Sequence, residues 1–204
     1  IGWSVLDIGA WHGYFSFECE RRGAARVLAV DRFAWDEFGM NEFLAAHARL
    51  ASQVEYQRLD VHDLDADVLG QFDLVLMLGV LYHLRNPVAA LERIARVTRR
   101  LLICETHVLL PFIHERYPLV PFFPGDERVS EQTHDLCGIP TMAALTEMLK
   151  FAGFGSVMLM APIFAILLGP THMVPLITII EIPVGMMLFM GARQDVDWEF
   201  IGPV

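Results

Sequence analysis

Short apolar segments alternate with segments of helical periodicity along most of the sequence, and this alternation limits the folds open to the chain. Five of the apolar segments have the length of β-strands, and they span 4–10, 26–31, 54–60, 72–80 and 100–106. Strands that alternate with helices form a mostly parallel sheet with helices on both faces. These strands are also too apolar for a face of the sheet to be left in water. The sequence therefore predicts an α/β fold.

The segments between the predicted strands carry the start and stop signals of helices. One helix is predicted within 13–23, where Gly23 ends the pattern, and another is predicted over 36–51. A third begins at Pro87 and has its apolar face at Ala90, Leu91, Ile94 and Val97. A fourth runs from Pro140 to Gly153, with inward residues at Leu145, Met148, Leu149 and Ala152. Each helix thus has one face suited to packing on the sheet.

The length and charge of the chain narrow its class. A chain of 204 residues suffices for a single α/β domain with a substantial core. Fifteen Lys and Arg residues against 25 Asp and Glu residues give a formal net charge of -10, so no basic field attracts a polyanion. The three cysteines are scattered and make neither a disulfide framework nor a C-x-x-C zinc pair. With no secretory signal pattern in the first residues, we expect a cytoplasmic protein.

The apolar tail is predicted to be extended rather than membrane-spanning. No Asp, Glu, Lys or Arg occurs from Val157 to Ile180, but a spanning helix there would contain at least two interior prolines. Each interior proline costs a helix about 3 kcal/mol, so membrane contact is disfavoured. We predict an antiparallel hairpin within 163–182 that is buried or supports a homo-oligomer, and a strand at 185–192 that returns to the sheet. A membrane-contacting or disordered tail is the alternative.

The loop after the first strand, in VLDIGAWHGYF, predicts a ligand site. In a doubly wound sheet this loop lies at the topological switch point, where ligands bind beyond the strand ends. Gly9 and Gly13 allow positive φ or a close ligand, but their Gly-x-x-x-Gly spacing is not that of a dinucleotide fold. Asp7 suits a ligand with a cationic amine, while Asp31 suits ribose hydroxyls and Asp60 ends the third strand. The pattern indicates a pocket for an adenosine with a cationic amino-acid tail.

Four segments resemble, in their order along the chain, those of the class I S-adenosylmethionine-dependent methyltransferases. They are VLDIGAWHG, LAVD, LDVHDL and FDLVLMLGVLYHLRNP. With PGDE at 124–127, they most resemble the branch of tRNA wobble-uridine methyl- and carboxymethyltransferases and its small-molecule relatives. The resemblance covers about residues 3–160. It implies a Rossmann-like, mostly parallel seven-stranded sheet with a C-terminal antiparallel hairpin. The single methyltransferase domain, 1–204, would comprise a cofactor-binding half (1–106), a substrate-side loop (107–139) and a C-terminal part (140–204).

The resemblance also implies roles for individual residues. Asp7, Gly9 and Gly13 would hold the methionine part of the cofactor, Asp31 the ribose, and Val61 and His62 the adenine. Leu78, Gly79 and Tyr82 would close over the sulfonium and face the acceptor. Ala10, Arg32 and Asp60 complete the predicted cofactor-binding set. The sequence departs from the family pattern at Trp11, where a glycine is usual, and at THDL, 133–136, where Asn and paired Trp residues are usual.

Methyl transfer requires mainly alignment and exclusion of water, so few residues need to react. His83 is the predicted base, with a purely structural role in its loop as the alternative, and Tyr82 is predicted to be a wall and hydrogen-bond donor. His107, His114 and His134 are further candidates for the acceptor pocket, and Asp126 and Glu127 for a polar substrate. No residue cluster predicts a metal site. If the cofactor were carboxy-S-adenosylmethionine, Arg32 or Arg85 would meet its carboxylate.

Three functions are compatible with these features. The first is methyl transfer from S-adenosylmethionine to a small hydroxylated metabolite or to a tRNA wobble uridine, and the acidic charge balance favours the small molecule. The second is a degenerate methyltransferase fold that acts as a binding or scaffold module, with Trp11 blocking the loop. The third, a nicotinamide-dependent dehydrogenase, is disfavoured by the glycine spacing.

Overall fold

In the computed structural model, residues 2–108, 118–120 and 138–155 are described, and they contain a five-stranded parallel sheet. The strands are Ser4–Ile8 (β1), Arg26–Asp31 (β2), Glu55–Arg58 (β3), Phe72–Leu78 (β4) and Thr98–Glu105 (β5). Their order in the sheet is β3-β2-β1-β4-β5, and every neighbouring pair is parallel. The predicted α/β class is confirmed. The predicted hairpin at 163–182 and the strand at 185–192, which would raise the count to seven, lie outside the described residues.

Six α-helices occur in the described part of the chain: Tyr14–Arg21 (α1), Phe33–Glu37 (α2), Asn41–Leu50 (α3), Ala66–Leu69 (α4), Pro87–Val97 (α5) and Met142–Phe151 (α6). Two single 3₁₀ turns, Val61–Asp63 and Leu81–His83, follow β3 and β4. α5 begins at Pro87 as predicted. No helix among the described residues has both the length and the apolar character needed to cross a bilayer.

Two predicted helix boundaries are wrong. The single helix predicted over 36–51 is instead the pair α2 and α3, because the chain leaves helical geometry between them at Gly39, whose φ is +85°. α6 begins two residues after Pro140, since Thr141 takes the N-cap position and its hydroxyl accepts the Ala144 N–H at 3.2 Å. A capping hydroxyl satisfies a donor that would otherwise lack a partner, which fixes where the helix starts.

The core lies on the three central strands and the helices that cover them. Val5 and Leu6 of β1 and Val75 of β4 are fully buried, and so is the predicted apolar face of α5: Ala90, Leu91, Ile94 and Val97. β3 departs from the prediction that all strands are covered. Its four residues are all exposed, because β3 is the edge of the sheet and its sequence, EYQR, is polar.

An aromatic cluster fixes the loops above the β1–β2 side of the sheet. Phe43 of α3 packs against Phe17 of α1 and Trp35 of α2, with ring centroids 5.2 and 5.1 Å apart, and all three side chains are buried. The strand order sends the chain from β1 toward β2 and from β4 toward β5, in opposite directions along the sheet. This reversal makes the carboxyl end of β1 a topological switch point, as predicted.

Candidate functional site

Asp7 lies near the carboxyl end of β1, and its side chain is buried under the start of α1. Its carboxylate accepts the Ser16 hydroxyl at 2.6 Å and also the Ser16 backbone N–H. The N-cap residue of α1 is Gly13, which has no side chain, so Asp7 provides the negative charge that a helix N-terminus favours. Burial raises the pKa of Asp7 to about 6 from 3.8, against the lowering effect of Ser16. Asp7 therefore has a structural role, and its predicted contact with a cofactor amine remains a prediction.

The two glycines of the β1–α1 loop are required for packing. Gly9 has a φ of +74°, and a methyl group on it would lie 2.4 Å from Val80 Cγ2 in the loop after β4. Gly13 has a φ of +84°, and a methyl group there would lie 2.6 Å from the Phe43 ring. Ala10 is buried, and its N–H, like that of Gly9, donates to the Val30 carbonyl. The predicted positive φ is confirmed, and the two glycines let this loop lie close to its neighbours.

Trp11 keeps the loop on β2 while its indole lies toward solvent. Its N–H donates to Asp31 Oδ2 at 3.0 Å, and its carbonyl accepts the Trp35 indole N–H at 2.7 Å. The indole is 52% exposed and contacts His12 and Phe38, with ring centroids 4.5 and 6.4 Å away. Its φ of +45° is unusual for a bulky residue. The indole is therefore half-exposed beside His12 and Phe38 rather than buried in the core, and its predicted effect on the loop stays a prediction.

Asp31 ends β2 with a buried carboxylate whose two oxygens are both oriented by the backbone. Oδ2 accepts the Trp11 N–H, and Oδ1 accepts the Ala34 N–H at 2.9 Å. Burial raises the pKa of Asp31 above its ordinary value, and these backbone N–H groups lower it in part. The backbone N–H groups of Trp35 and Arg32 also lower this pKa, so a ribose hydroxyl would share the carboxylate oxygens with backbone donors. The neighbouring Arg32 is exposed and donates to Asp36 of α2.

The turn after β3 is held by hydrogen bonds. Asp60 Oδ1 accepts both the backbone N–H of His62 and its ring Nδ1, each at 2.9 Å. The other ring nitrogen of His62 lies 3.2 Å from the Asn86 carbonyl at the start of α5. Val61 is buried beside them. Both ring nitrogens of His62 thus lie within hydrogen-bonding distance of a protein oxygen, and the predicted contact of Val61 and His62 with an adenine stays a prediction.

Several polar side chains meet where β4 and β5 end. The Tyr82 ring lies 4.3 Å from the His83 ring and 4.3 Å from the His107 ring, centroid to centroid. The Gly79 N–H donates to the Glu105 carbonyl at 3.2 Å. Burial, followed by the neighbouring His83, holds the pKa of His107 below its ordinary 6.5. The structure therefore brings His107, from the predicted substrate-side loop, to the predicted pair Tyr82 and His83.

Glu105 was missed by sequence reasoning, although it ends an apolar strand as Asp31 does. A methyl group on Gly79 would lie 3.4 Å from the Tyr82 hydroxyl oxygen and 3.7 Å from Glu105 Oε2. Leu78, which precedes Gly79, is half-buried at the end of β4. The predicted residues His114, Asp126, Glu127 and His134 lie outside the described residues. Within the described ranges, no group of His, Cys, Asp and Glu is arranged to hold a metal ion.

Comparison with known proteins identifies the family. Residues 6–101 match the family model described as "Methyltransferase domain". A tRNA U34 carboxymethyltransferase from Dichelobacter nodosus is 30% identical over 155 residues, covering 75% of this chain and 46% of the relative. One from Pseudomonas paraeruginosa is 31% identical over 156 residues, covering 75% and 45%. Residues 6–101 form a domain of the class I S-adenosylmethionine-dependent methyltransferase type.

The chain spans about half the length of the curated relatives it matches. Among solved structures, the N-terminal domain of EvdMO1 with S-adenosylhomocysteine bound superposes with a TM-score of 0.54 at 25% identity, covering 75% of this chain and 65% of that one. The cofactor of the family is S-adenosylmethionine. Asp31 ends β2 and Gly79 follows β4 at the carboxyl edge of the sheet, and their predicted contacts with the cofactor stay predictions.

Proposed function

We propose that this domain transfers a methyl group from S-adenosylmethionine to an oxygen or nitrogen of a small hydroxylated acceptor. The observation that carries the proposal is the meeting of Tyr82, His83, His107 and Glu105 beside Gly79, at the edge of the sheet where Asp31 also ends its strand. One part of this edge thus suits the cofactor ribose, and the other offers groups that bind and deprotonate an acceptor. When bound, the cofactor supplies the electrophilic methyl group.

The residues of the chain would act mainly by alignment. Asp31 would hold the ribose hydroxyls, and Gly79 would allow the methyl-bearing end to approach β4. Tyr82 would form the wall of the acceptor pocket and donate a hydrogen bond. Asp7, Gly9, Ala10 and Gly13 would shape the loop beside the methionine part, with Leu78 closing the site. Val61, with the turn that Asp60 and His62 fix, would contact the adenine.

The base is proposed to come from the two histidines that contact the Tyr82 ring. His83 is the residue predicted from the sequence, and His107 is added by the structure. The lowered pKa of His107 keeps its ring neutral near pH 7, so it is ready to accept a proton from an acceptor hydroxyl. His83 then helps to keep His107 neutral, because a second positive charge beside it is unfavourable.

The plain cofactor is proposed as the methyl donor. Arg32, one of the two residues suggested for a carboxylated donor, is instead paired with Asp36. The charge of -10 also makes a small acceptor the first candidate. The second candidate is a tRNA wobble uridine, which the printed names of the curated relatives favour. We propose a cytoplasmic location, as expected for either acceptor.

Calorimetry with S-adenosylmethionine and S-adenosylhomocysteine tests the proposal. We expect both to bind the wild-type chain, and Asp31→Asn to weaken both by about tenfold or more, because an amide places a donor against a backbone N–H and loses the carboxylate acceptors. Asp67→Asn, on the exposed surface of α4, is the matched control and should bind as the wild type does. Absence of binding to the wild type at high micromolar ligand would overturn the proposal.

The acceptor class needs a separate experiment with methyl-labelled S-adenosylmethionine. Label transferred to a dialysable fraction of a bacterial extract supports the small acceptor, whereas label in unfractionated tRNA supports the wobble uridine. Mass spectrometry of ligand retained through purification distinguishes plain from carboxylated cofactor. His107→Gln should lower the rate of transfer without changing the affinity for S-adenosylhomocysteine, since His107 is assigned to the acceptor side.

A further inference from the structure

Glu105 brings a carboxylate to the end of β4, where the reacting end of the cofactor is proposed to lie. It pairs with Leu78 in the parallel register, and its carbonyl accepts the N–H of Gly79 at 3.2 Å. Its side chain turns back over Gly79, because Oε2 lies 3.7 Å from where a methyl group on Gly79 would be. The carboxylate is therefore held over the one residue of this strand end that has no side chain.

The α-carbon of Gly79 faces two side-chain oxygens. A side-chain methyl built on Gly79 would lie 3.7 Å from Glu105 Oε2 and 3.4 Å from the Tyr82 hydroxyl oxygen, so both oxygens lie beside the backbone of this strand end. Glu105 is half-buried, so its charge is screened less than that of a surface carboxylate. The charge of Glu105 also acts on its neighbour, since burial first and then Glu105 raise the pKa of the half-buried Cys104 to about 12. A negative charge in this position favours a cation and disfavours an anion.

We infer that Glu105 recognises the positive charge of the methyl donor, so that the chain holds S-adenosylmethionine more tightly than the uncharged sulfur of the demethylated product. The inference rests on the proposed function, because it takes the cofactor to lie with its sulfur near Gly79. In this inference Glu105 discriminates between the methyl donor and the demethylated product. None of the sequence motifs indicates this role.

The charge change of the reaction gives this contact a consequence. The carbon–sulfur bond breaks with its electron pair staying on sulfur, a bond forms between the methyl carbon and the acceptor oxygen or nitrogen, and the acceptor proton passes to the base. The sulfur thereby becomes neutral, and its attraction to Glu105 is lost. Product would then leave more readily than donor, which limits inhibition by the product.

The test compares the affinities of S-adenosylmethionine and S-adenosylhomocysteine by calorimetry for the wild type, Glu105→Gln and Glu105→Asp. Glu105→Gln should weaken S-adenosylmethionine by about tenfold relative to S-adenosylhomocysteine, and Glu105→Asp, which keeps the charge, should retain most of the preference. Glu147→Gln is the matched control, because it removes the same charge from an exposed ion pair with Lys150 on α6. It should leave both affinities unchanged.

Equal effects of Glu105→Gln on both ligands, or no effect on either, would overturn the inference while leaving the proposed function intact. Failure of both ligands to bind the wild type would overturn the proposed function itself. If Glu105→Gln does not fold, Glu105→Ala replaces it, because it also removes the charge. The preference for S-adenosylmethionine should then be lost, and an unchanged preference would refute the role of Glu105.

Discussion

The buried carboxylate of Asp7 accepts a 2.6 Å hydrogen bond from the Ser16 hydroxyl, which joins the end of β1 to the first turn of α1. Both residues are almost wholly buried, at 3% and 0% exposure. An ionised carboxylate in such a place is costly unless it is hydrogen-bonded, and Ser16 supplies two donors from one residue. The residue that the sequence motif offers to a ligand is thus already engaged in holding the loop that the ligand would contact.

Asp7 should make stability fall as pH rises. Its folded pKa of about 6 exceeds 3.8, so the folded state binds more protons between these values, and its contribution is greatest below about pH 4 and lost above about pH 6. At neutral pH the ionised Asp7 carboxylate therefore lowers the stability of the folded state by about 3 kcal/mol, since each pKa unit corresponds to about 1.4 kcal/mol. In urea unfolding, the free energy of unfolding of Asp7→Asn should therefore rise relative to that of the wild type by about this amount between pH 4 and pH 7. A constant difference would contradict the shift, and Asp67→Asn should show no such gain.

Binding of the cofactor near pH 6 should release a proton if its amine lies beside Asp7. At this pH the carboxyl is about half protonated, and a cation next to it favours the ionised form. Calorimetry of S-adenosylhomocysteine binding in buffers with different ionisation enthalpies measures the number of protons released. Asp7→Asn should bind without this release. Binding of the wild type with no proton release would limit Asp7 to its bond with Ser16.

Gly9→Ala should destabilise the fold by about 3 kcal/mol, from a left-handed backbone that costs a side-chain-bearing residue about 1–2 kcal/mol and from overpacking. The overpacking arises because the new methyl group would lie 2.4 Å from Val80 Cγ2. Gly39→Ala separates the two effects, since Gly39 also has positive φ but has nothing within 4 Å of the added methyl. It should cost only the backbone term, and Gly9→Ala combined with Val80→Ala should recover part of the loss. Equal losses of stability in Gly9→Ala and Gly39→Ala would show that Val80 moves away from the added methyl group without an energetic cost.

Trp11 should tolerate replacement by residues that accept its backbone conformation. Its φ is +45°, and the groups that hold the loop on Asp31 and Trp35 are its backbone N–H and carbonyl. Trp11→Asn should therefore keep the affinity for S-adenosylhomocysteine, while Trp11→Val should be less stable than Trp11→Asn by about 1–2 kcal/mol. Both variants lack the indole, so their difference in thermal unfolding reports the backbone. Loss of binding in both would place the indole in the pocket.

Sequence predicted the features that depend on neighbours along the chain. The strand bounds at Arg26–Asp31 and the apolar face of α5 follow from local patterns, and both are confirmed. The break at Gly39 was missed because a single glycine inside an amphipathic pattern is as compatible with a continuous helix as with a turn. The polar strand β3 was predicted because strands and helices alternate along the sequence. Its exposure was not predicted, because it follows from the position of β3 at the sheet edge.

The site was predictable only where one loop forms it. Asp31 and the positive φ of Gly9 could be inferred from a strand end and a glycine. The position of the Glu105 carboxylate beside Gly79 depends on the pairing of β5 with β4, which brings together residues 26 positions apart. The bond of His62 to the Asn86 carbonyl likewise joins the turn after β3 to α5. One sequence contains no signal for such pairings, so these contacts appear only in the folded chain.

The neighbouring histidine should control the protonation of His107. The pKa of His107 lies below 6.5 because burial first, and then the neighbouring imidazole of His83, disfavour its charged form. His83→Gln removes that imidazole and should raise the pKa of His107, whereas Tyr82→Phe, which keeps the ring 4.3 Å away, should leave it nearly unchanged. NMR titration of the imidazole nitrogens measures both variants without any acceptor. If His107 is the base, the pH below which methyl transfer declines should move upward with its pKa in His83→Gln. A pKa of His107 that stays the same in His83→Gln would show that burial alone sets it.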